Sequence, residues 1–294
     1  MANKINIARE IRLNILELLR IVPDRMMIKI QFRMKMKNKL NLENPKTFNE
    51  KLQWLKLFDR KENHTKLVDK LAVRDYVKQV VGEEYLIPLL GAWRTYKEID
   101  FNSLPETFVM KCNHDSGSIQ IIDNKNEIDH KELNRFFTAR LRRNPYASGR
   151  EWPYKNVSPC IVVEKNMATS DGSLPVDYKF FCYDGFVDSV MICTDRGFSN
   201  KRFFFFDKEW KLRKYNKSSL DLPDDFQIEK PKEIDALFEL ASKLSKGERF
   251  VRIDFYIIGG QPYFGEFTYF PASGYDSNIL PWADEHLGNL IKID

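Results

Sequence analysis

The stretch Phe250-Val-Arg-Ile-Asp-Phe-Tyr-Ile-Ile-Gly-Gly-Gln-Pro-Tyr-Phe-Gly-Glu-Phe-Thr-Tyr269 decides how the chain is read. Two runs rich in Phe, Ile and Tyr flank Gly259-Gly260, a pair suited to the positive φ angles of a tight hairpin turn. Side chains alternate along a strand, so Arg252 and Asp254 share a face, and Glu266 and Thr268 share one on the partner. The two pairs can converge across the hairpin. Carboxylates within reach of each other repel unless a cation sits between them. Hard oxygen ligands of this kind suit Mg²⁺ held jointly with substrate phosphates. An arginine–carboxylate ion pair at a sheet surface accounts for the same residues without a ligand.

Two earlier segments carry related chemistry. Thr107-Phe-Val-Met-Lys-Cys112 is a short apolar strand whose single Lys111 needs an anion, and Asn113-His-Asp-Ser-Gly-Ser118 follows it. The small residues Ser116, Gly117 and Ser118 offer backbone amides to phosphate oxygens, although G-x-x-x-x-G-K-[ST] is absent. His114 fits equally a donor or base and a residue that steadies the loop. The strand Cys160-Ile-Val-Val-Glu164 ends in Glu164-Lys165, where a strand edge can face an adenine. Asp177 can reach a ribose hydroxyl and Lys179 phosphates; surface charge explains each of these residues as well. No Ser-His-Asp or Cys-His arrangement asks for a protein nucleophile.

The rest of the sequence frames these segments. Thr47-Phe-Asn-Glu50 is a capping box opening a helix. A second helix is expected over 66–81 with Gly82 as its stop, and Tyr85 to Gly91 reads as a short connection. Residues 130–143 predict a basic helix. Strands at 177–183 and 186–193 flank Asp184-Gly185, a further hairpin signal. A strand at 202–207 and a helix at 231–246 complete the pattern. Helices, then a small sheet, then a larger antiparallel sheet make the fold class α+β.

Composition narrows the classes. The 22 Phe, 12 Tyr and 5 Trp of the 294 residues need a core, which excludes disorder. Four Cys without a C-x-x-C pair argue against a disulfide framework or a zinc site. The net charge of +5 is uneven: residues 1–40 hold ten Lys/Arg against three acids, leaving 37 basic and 39 acidic residues for the remainder. The segment lacks a signal-peptide core, and no apolar run approaches the ~18–20 residues of a membrane span. A cytoplasmic protein is expected. The basic segment alternates Ile, Leu and Met with Arg and Lys, which suits either an anionic membrane surface or helices packed on the body with a solvated face. The near-neutral body shows no nucleic-acid-binding motif.

Taken in order, these segments resemble the ATP-grasp superfamily and, within it, the TupA-like family named for teichuronopeptide biosynthesis. The resemblance rests on Asn44-Pro-Lys-Thr-Phe-Asn-Glu-Lys-Leu-Gln-Trp-Leu-Lys56, Lys66-Leu-Val-Asp-Lys70, Lys111-Cys-Asn-His-Asp-Ser-Gly117, Gly149-Arg-Glu-Trp-Pro-Tyr-Lys-Asn156, Asp177-Tyr-Lys-Phe-Phe181 and the last hairpin. It implies an ATP-grasp fold, two α+β lobes clamping ATP behind a helical N-terminal region. The corresponding divisions are a basic amphipathic arm (1–40), a helical region (41–105), a small lobe (106–165) and a large lobe (166–294). Lys70 and Lys111 match phosphate-neutralising lysines, Glu164 to Met167 the adenine hinge, and Asp177 the ribose contact. Asp254 and Glu266 match magnesium carboxylates, and Arg252 the arginine near the acyl phosphate. Thr268 stands where the superfamily usually has Asn.

The resemblance further implies a ligase that phosphorylates a carboxylate and lets an amine displace the phosphate. A family tied to teichuronopeptide points to an amino acid joined to a uronic acid of a capsule or other cell-envelope polysaccharide, or of its precursor, near the inner membrane face. Arg150, Glu151, Trp152, Tyr154, Arg196, Lys201 and Arg202 are candidates to hold the acidic sugar. A sugar or small-molecule kinase and a non-catalytic polysaccharide-assembly protein are the alternatives.

Overall fold

Thr47 opens the helix Phe48–Phe58 as its capping box predicts. Its hydroxyl accepts from the Glu50 amide at 3.3 Å, and the Glu50 carboxylate accepts from the Thr47 amide at 3.3 Å. The computed structural model describes residues 15–167, 175–194, 202–223 and 225–293. The chain divides into two units: Met1–Met27, Arg60–Tyr76 and Ile87–Met167 form one, and Ile28–Asp59, Val77–Leu86 and Ala168–Asp294 the other.

The first unit contains strands β1 (Leu89–Trp93), β2 (Phe108–Cys112), β3 (Gln120–Ile122) and β4 (Ile161–Lys165), antiparallel in the order β1-β4-β2-β3. Phe108, Met110 and Cys112 alternate inward and meet Ile161, Val163 and, from the helix His130–Leu141, Leu133 and Phe137. Lys111 pairs with Val162, and Val109 with Glu164. Lys111 and Glu164 are therefore diagonal neighbours on the opposite face of the sheet.

Two local expectations need revision here. Residues 85–91 are not merely a connection, because β1 begins at Leu89 and pairs with β4. Its half-exposed side chains give no clean alternation to read. The helix expected over 66–81 is two helices, Asn63–Val68 and Val73–Val80. Asp69 breaks it, its carboxylate accepting from the amides of Leu71 at 2.9 Å and Ala72 at 3.3 Å, a local bond that competes with the helix ladder.

The second unit contains β5 (Asp177–Tyr183), β6 (Phe186–Thr194), β7 (Arg202–Phe206), β8 (Leu212–Arg213), β9 (Val251–Ile258) and β10 (Gln261–Thr268). They form an antiparallel sheet in the order β10-β9-β5-β6-β7-β8. Asp184 and Gly185 take φ of 47° and 84° between β5 and β6, the two positive values a type I′ turn requires. One face packs under the helix Ile234–Leu244, with Phe180 edge-on to Phe238 at 5.0 Å. On the other face Phe48 covers Phe250 at 4.9 Å and Phe181 at 6.0 Å. Phe181 pairs with Arg252 and Lys179 with Asp254, so this second face also carries charge. The helix Pro281–Leu290 and the short strands β3 and β8 lack a sequence pattern strong enough to predict them.

The last hairpin holds a departure that the sequence pattern hides. Near the turn Phe264 pairs with Phe255, but Glu266 pairs with Asp254. Gly265 is the extra residue of a β-bulge, which re-aims the side chains that follow it. Without it, Asp254 would face Gly265 and Glu266 would lie on the opposite face of the sheet. A Cβ at Gly265 would sit 3.0 Å from the Asp254 carbonyl oxygen and 3.1 Å from Tyr256 Cε2. Gly265→Val is expected to destabilise the protein by about 1–3 kcal/mol in urea unfolding, the cost of overpacking; unchanged stability would contradict the close approach.

Candidate functional site

The second unit gathers four charged residues around Asp254, whose own exposure is only 2%. Arg252 grips it with two bonds, Nε to Oδ1 and Nη2 to Oδ2, both 2.7 Å. Lys179 Nζ stands 2.5 Å from Asp254 Oδ2 and 2.5 Å from Asp177 Oδ2. Arg252 Nη2 also reaches Glu266 Oε1 at 3.4 Å and Thr268 Oγ1 at 3.0 Å, and the Thr268 hydroxyl donates to Glu266 at 3.3 Å. Burial alone would raise the Asp254 pKa, but Arg252 and Lys179 hold it below its ordinary value. Burial opposes the charge on Arg252 too, yet Asp254 and Glu266 raise its pKa.

The donor chemistry, carboxylate and hydroxyl oxygen, is that of a hard divalent cation, although among the described residues no group of three or more His, Cys, Asp or Glu is placed to hold a metal ion. Asp254, Glu266 and Thr268 present oxygen on one sheet face, and Asp177, Asp254 and Glu266 outnumber Lys179 and Arg252 there. Glu266 is the accessible carboxylate, with its side chain 34% exposed. Asp254 is already enclosed by two cations, so a metal would share or replace those contacts. The ion pair expected as the alternative is present, although it is buried within the sheet face.

The first unit builds a smaller charged group. Lys111 Nζ lies 2.5 Å from Glu164 Oε2, and Arg74 Nη1 lies 3.4 Å from Glu164 Oε1. Glu164 is thus the anion that the lone strand lysine needs. Arg74 was not legible as a site residue; its one signal is position, because a cation in the first turn of Val73–Val80 opposes the helix dipole. It is anchored instead by the Ile87 carbonyl, 2.9 Å from Nη2. Lys165 is exposed and Met167 partly buried just beyond Glu164.

The loop after β2 is fastened on several sides. Lys70 donates from Nζ to the Asp115 carbonyl at 2.7 Å and from its amide to the Asn113 carbonyl at 3.0 Å. Ser118 is buried; its hydroxyl accepts from the Cys112 amide at 2.7 Å and donates to the Asp115 carboxylate. Ser116 and Gly117, with φ of 88° at the glycine, are the exposed tip. His114 is 1% exposed, and its Nε2 lies 3.0 Å from the Arg143 carbonyl. A carbonyl only accepts, so Nε2 carries the proton there. Burial lowers the imidazole pKa, with Asp115 opposing in part. This geometry favours the loop-steadying role for His114 over the catalytic one.

The substrate candidates are scattered. Arg150 is completely buried at φ 55°; Nη2 donates to the Leu19 carbonyl at 2.6 Å, and Nη1 lies 3.7 Å from Asp24. It is a structural anchor, correcting the expectation of a substrate contact. Trp152 is partly buried with its ring 6.1 Å from His64; Glu151 and Tyr154 are also partly buried. Arg202 is exposed at the start of β7, 5.1 Å over the Phe204 ring, and donates to the Ser218 carbonyl at 3.3 Å. Arg196 and Lys201 lie outside the described residues. Arg150 to Tyr154 belong to the first unit and Arg202 to the second.

Among solved structures, the chain is similar to D-alanine–D-alanine ligase from Bacillus anthracis, at 16% identity over 84% of this chain and 69% of that one, with a TM-score of 0.42. The same enzyme from Helicobacter pylori gives 13%, 83%, 69% and 0.44. The ATP-grasp ligase PsnB complexed with minimal precursor gives 10%, 78%, 61% and 0.41, so the chain spans less than two thirds of PsnB. No curated protein sequence matches it. Residues 50–292 match the family described as TupA-like ATPgrasp, which is most of the chain, and with its helices and two antiparallel sheets the protein belongs to the TupA-like ATP-grasp family.

Proposed function

We propose that the protein is an ATP- and Mg²⁺-dependent carboxylate–amine ligase that attaches an amino acid to a uronic acid of a surface polysaccharide or its precursor. The observation that carries the reading is the charged face around Asp254, where acids and cations interleave on one face of the six-stranded sheet. In this reading Asp254 and Glu266 hold the metal, with Thr268 completing the oxygen set. Mg²⁺, when bound, neutralises phosphate oxygens. Lys70, Lys111 and Lys179 bind phosphates, the exposed amides of Ser116 and Gly117 cover them, and Ser118 shapes that loop. Glu164, Lys165 and Met167 line the adenine, and Asp177 meets the ribose.

The chemistry then balances without a protein nucleophile. A carboxylate oxygen attacks the γ-phosphorus and ADP leaves; Arg252 steadies the acyl phosphate. The amine attacks the acyl carbon, inorganic phosphate departs, and the amine loses a proton to form the amide. The family belongs to ATP-grasp, which supports ATP use; the sugar rests on the family's name alone. ADP and phosphate should appear together only when a uronate and an amino acid are both supplied, with the amide found by mass spectrometry. A phosphorylated sugar without amide would replace this reading with a kinase.

The same reading puts the enzyme at an anionic membrane surface through its basic N-terminal segment. Among the described residues no helix is long and apolar enough to cross a membrane. The helix Asp24–Met36 buries Met27, Ile28 and Phe32, as packed helices do, while Leu18, Ile21, Met26 and Met34 stay 77%, 90%, 57% and 66% exposed among Arg20, Arg25 and Arg33. Such a mixture favours anionic lipid. Leu18→Ser with Ile21→Ser, which spares the packed helix, should abolish most co-sedimentation with vesicles containing phosphatidylglycerol; equal sedimentation would refute the docking.

A further inference from the structure

The loop that follows β2 borders a cavity of about 380 Å³ in the first unit, within the usual range for ligand pockets. Asp115 and Ser116 of the loop line it, with Arg140, Arg142 and Arg143 from the end of the helix His130–Leu141 and Glu17 from the N-terminal segment. Three arginines at a helix C-terminus complement its dipole, and a solvated cluster would need no further account. These arginines differ because they wall a concavity and because the backbone beneath them is fixed. The Arg143 carbonyl is tied to His114 at 3.0 Å, which locks the turn to the loop. Arg140 is only 14% exposed, 3.8 Å from the Asp115 carboxylate and stacked 5.2 Å over Phe136.

The acids in the wall are already engaged. Asp115 accepts from the Ser118 hydroxyl and faces Arg140, while Glu17 pairs with Arg20 at 2.6 Å. The lining holds three arginines against these two acids, a formal surplus of one positive charge. Guanidinium groups present planar forks of donors that match carboxylate and phosphate oxygens. We propose that this cavity is a second binding site, in which Arg142 and Arg143 take an oxyanion of the acidic acceptor, a sugar carboxylate or a phosphate on its carrier. Naming the occupant as the acceptor rests on the ligase reading; the binding of an oxyanion does not. The site also explains why the loop is anchored to the arginine turn: an acceptor seated there abuts the residues proposed to cover the phosphates.

The test titrates the full chain by calorimetry with trigalacturonate, with sodium pyrophosphate, and with the neutral trisaccharide maltotriose. At least one anion is expected to bind, and Arg142→Gln with Arg143→Gln should weaken it about tenfold or more. ADP binding should change by less than about twofold. Stronger binding of trigalacturonate assigns the site to a sugar carboxylate, and stronger binding of pyrophosphate to a phosphate. Arg142→Glu alone, at an exposed position, should weaken the same anion and serves if the double variant is unfolded. Arg135→Gln, exposed on the same helix but outside the cavity, should leave binding unchanged. Absence of anion binding, equal binding of maltotriose, an unaltered affinity in the arginine variants, or an equal loss in Arg135→Gln would overturn the site. Amide formation with ATP is read separately, so anion binding without amide would leave the cavity standing and remove the ligase reading.

Discussion

One extra residue in a β-ladder governs the charged face of the larger sheet. Gly265 shifts the register of β10 against β9, and only with that shift does Glu266 stand opposite Asp254. The Gly259-Gly260 turn starts the hairpin in the register that would put Glu266 with the apolar residues under the helix Ile234–Leu244. The bulge reverses this after Phe264, so Phe264 stays on the apolar side while Glu266 and Thr268 join Arg252 and Lys179. Glycine relieves crowding there, because a Cβ would stand 3.0 Å from the Asp254 carbonyl oxygen.

Each unit pairs its clustered charges internally. In one, Glu164 stands between Lys111 and Arg74; in the other, Arg252 and Lys179 enclose Asp254. Removing one partner of a buried pair leaves an uncompensated charge and costs about 3–5 kcal/mol. In the ligase reading proposed above, a polyanionic nucleotide with its metal would take over the lysines and the carboxylates, replacing their present ion pairs. A ligand bringing only one sign of charge would leave the other stranded.

Much of this was legible in the sequence, and the failures have physical causes. The capping box at Thr47, the Asp184-Gly185 turn and the strand around Lys111 follow from short-range rules and stand where those rules put them. Lys111 needed an anion, but nothing local said that Glu164 would supply it, because that pairing depends on the β2–β4 register. Arg74 was not legible because its contact with Glu164 depends on how the helix Val73–Val80 packs against β4. The convergence of Glu266 on Asp254 was expected from alternation alone, yet simple alternation from the turn gives the wrong face; the bulge supplies what the pattern lacks. Arg150 misled because a lone arginine among aromatics reads as a ligand contact. Its left-handed backbone and the carbonyls of the N-terminal segment bury it instead.

The central claim is that Asp254 and Glu266 act together on a metal bound with nucleotide. Binding of Mn²⁺ to the full chain in the presence of ADP, followed by the loss of the free-ion electron paramagnetic resonance signal, addresses it directly. The account predicts binding by the wild type and a loss of about tenfold or more in both Asp254→Asn and Glu266→Gln. Mn²⁺ held as tightly by either folded variant as by the wild type would contradict it.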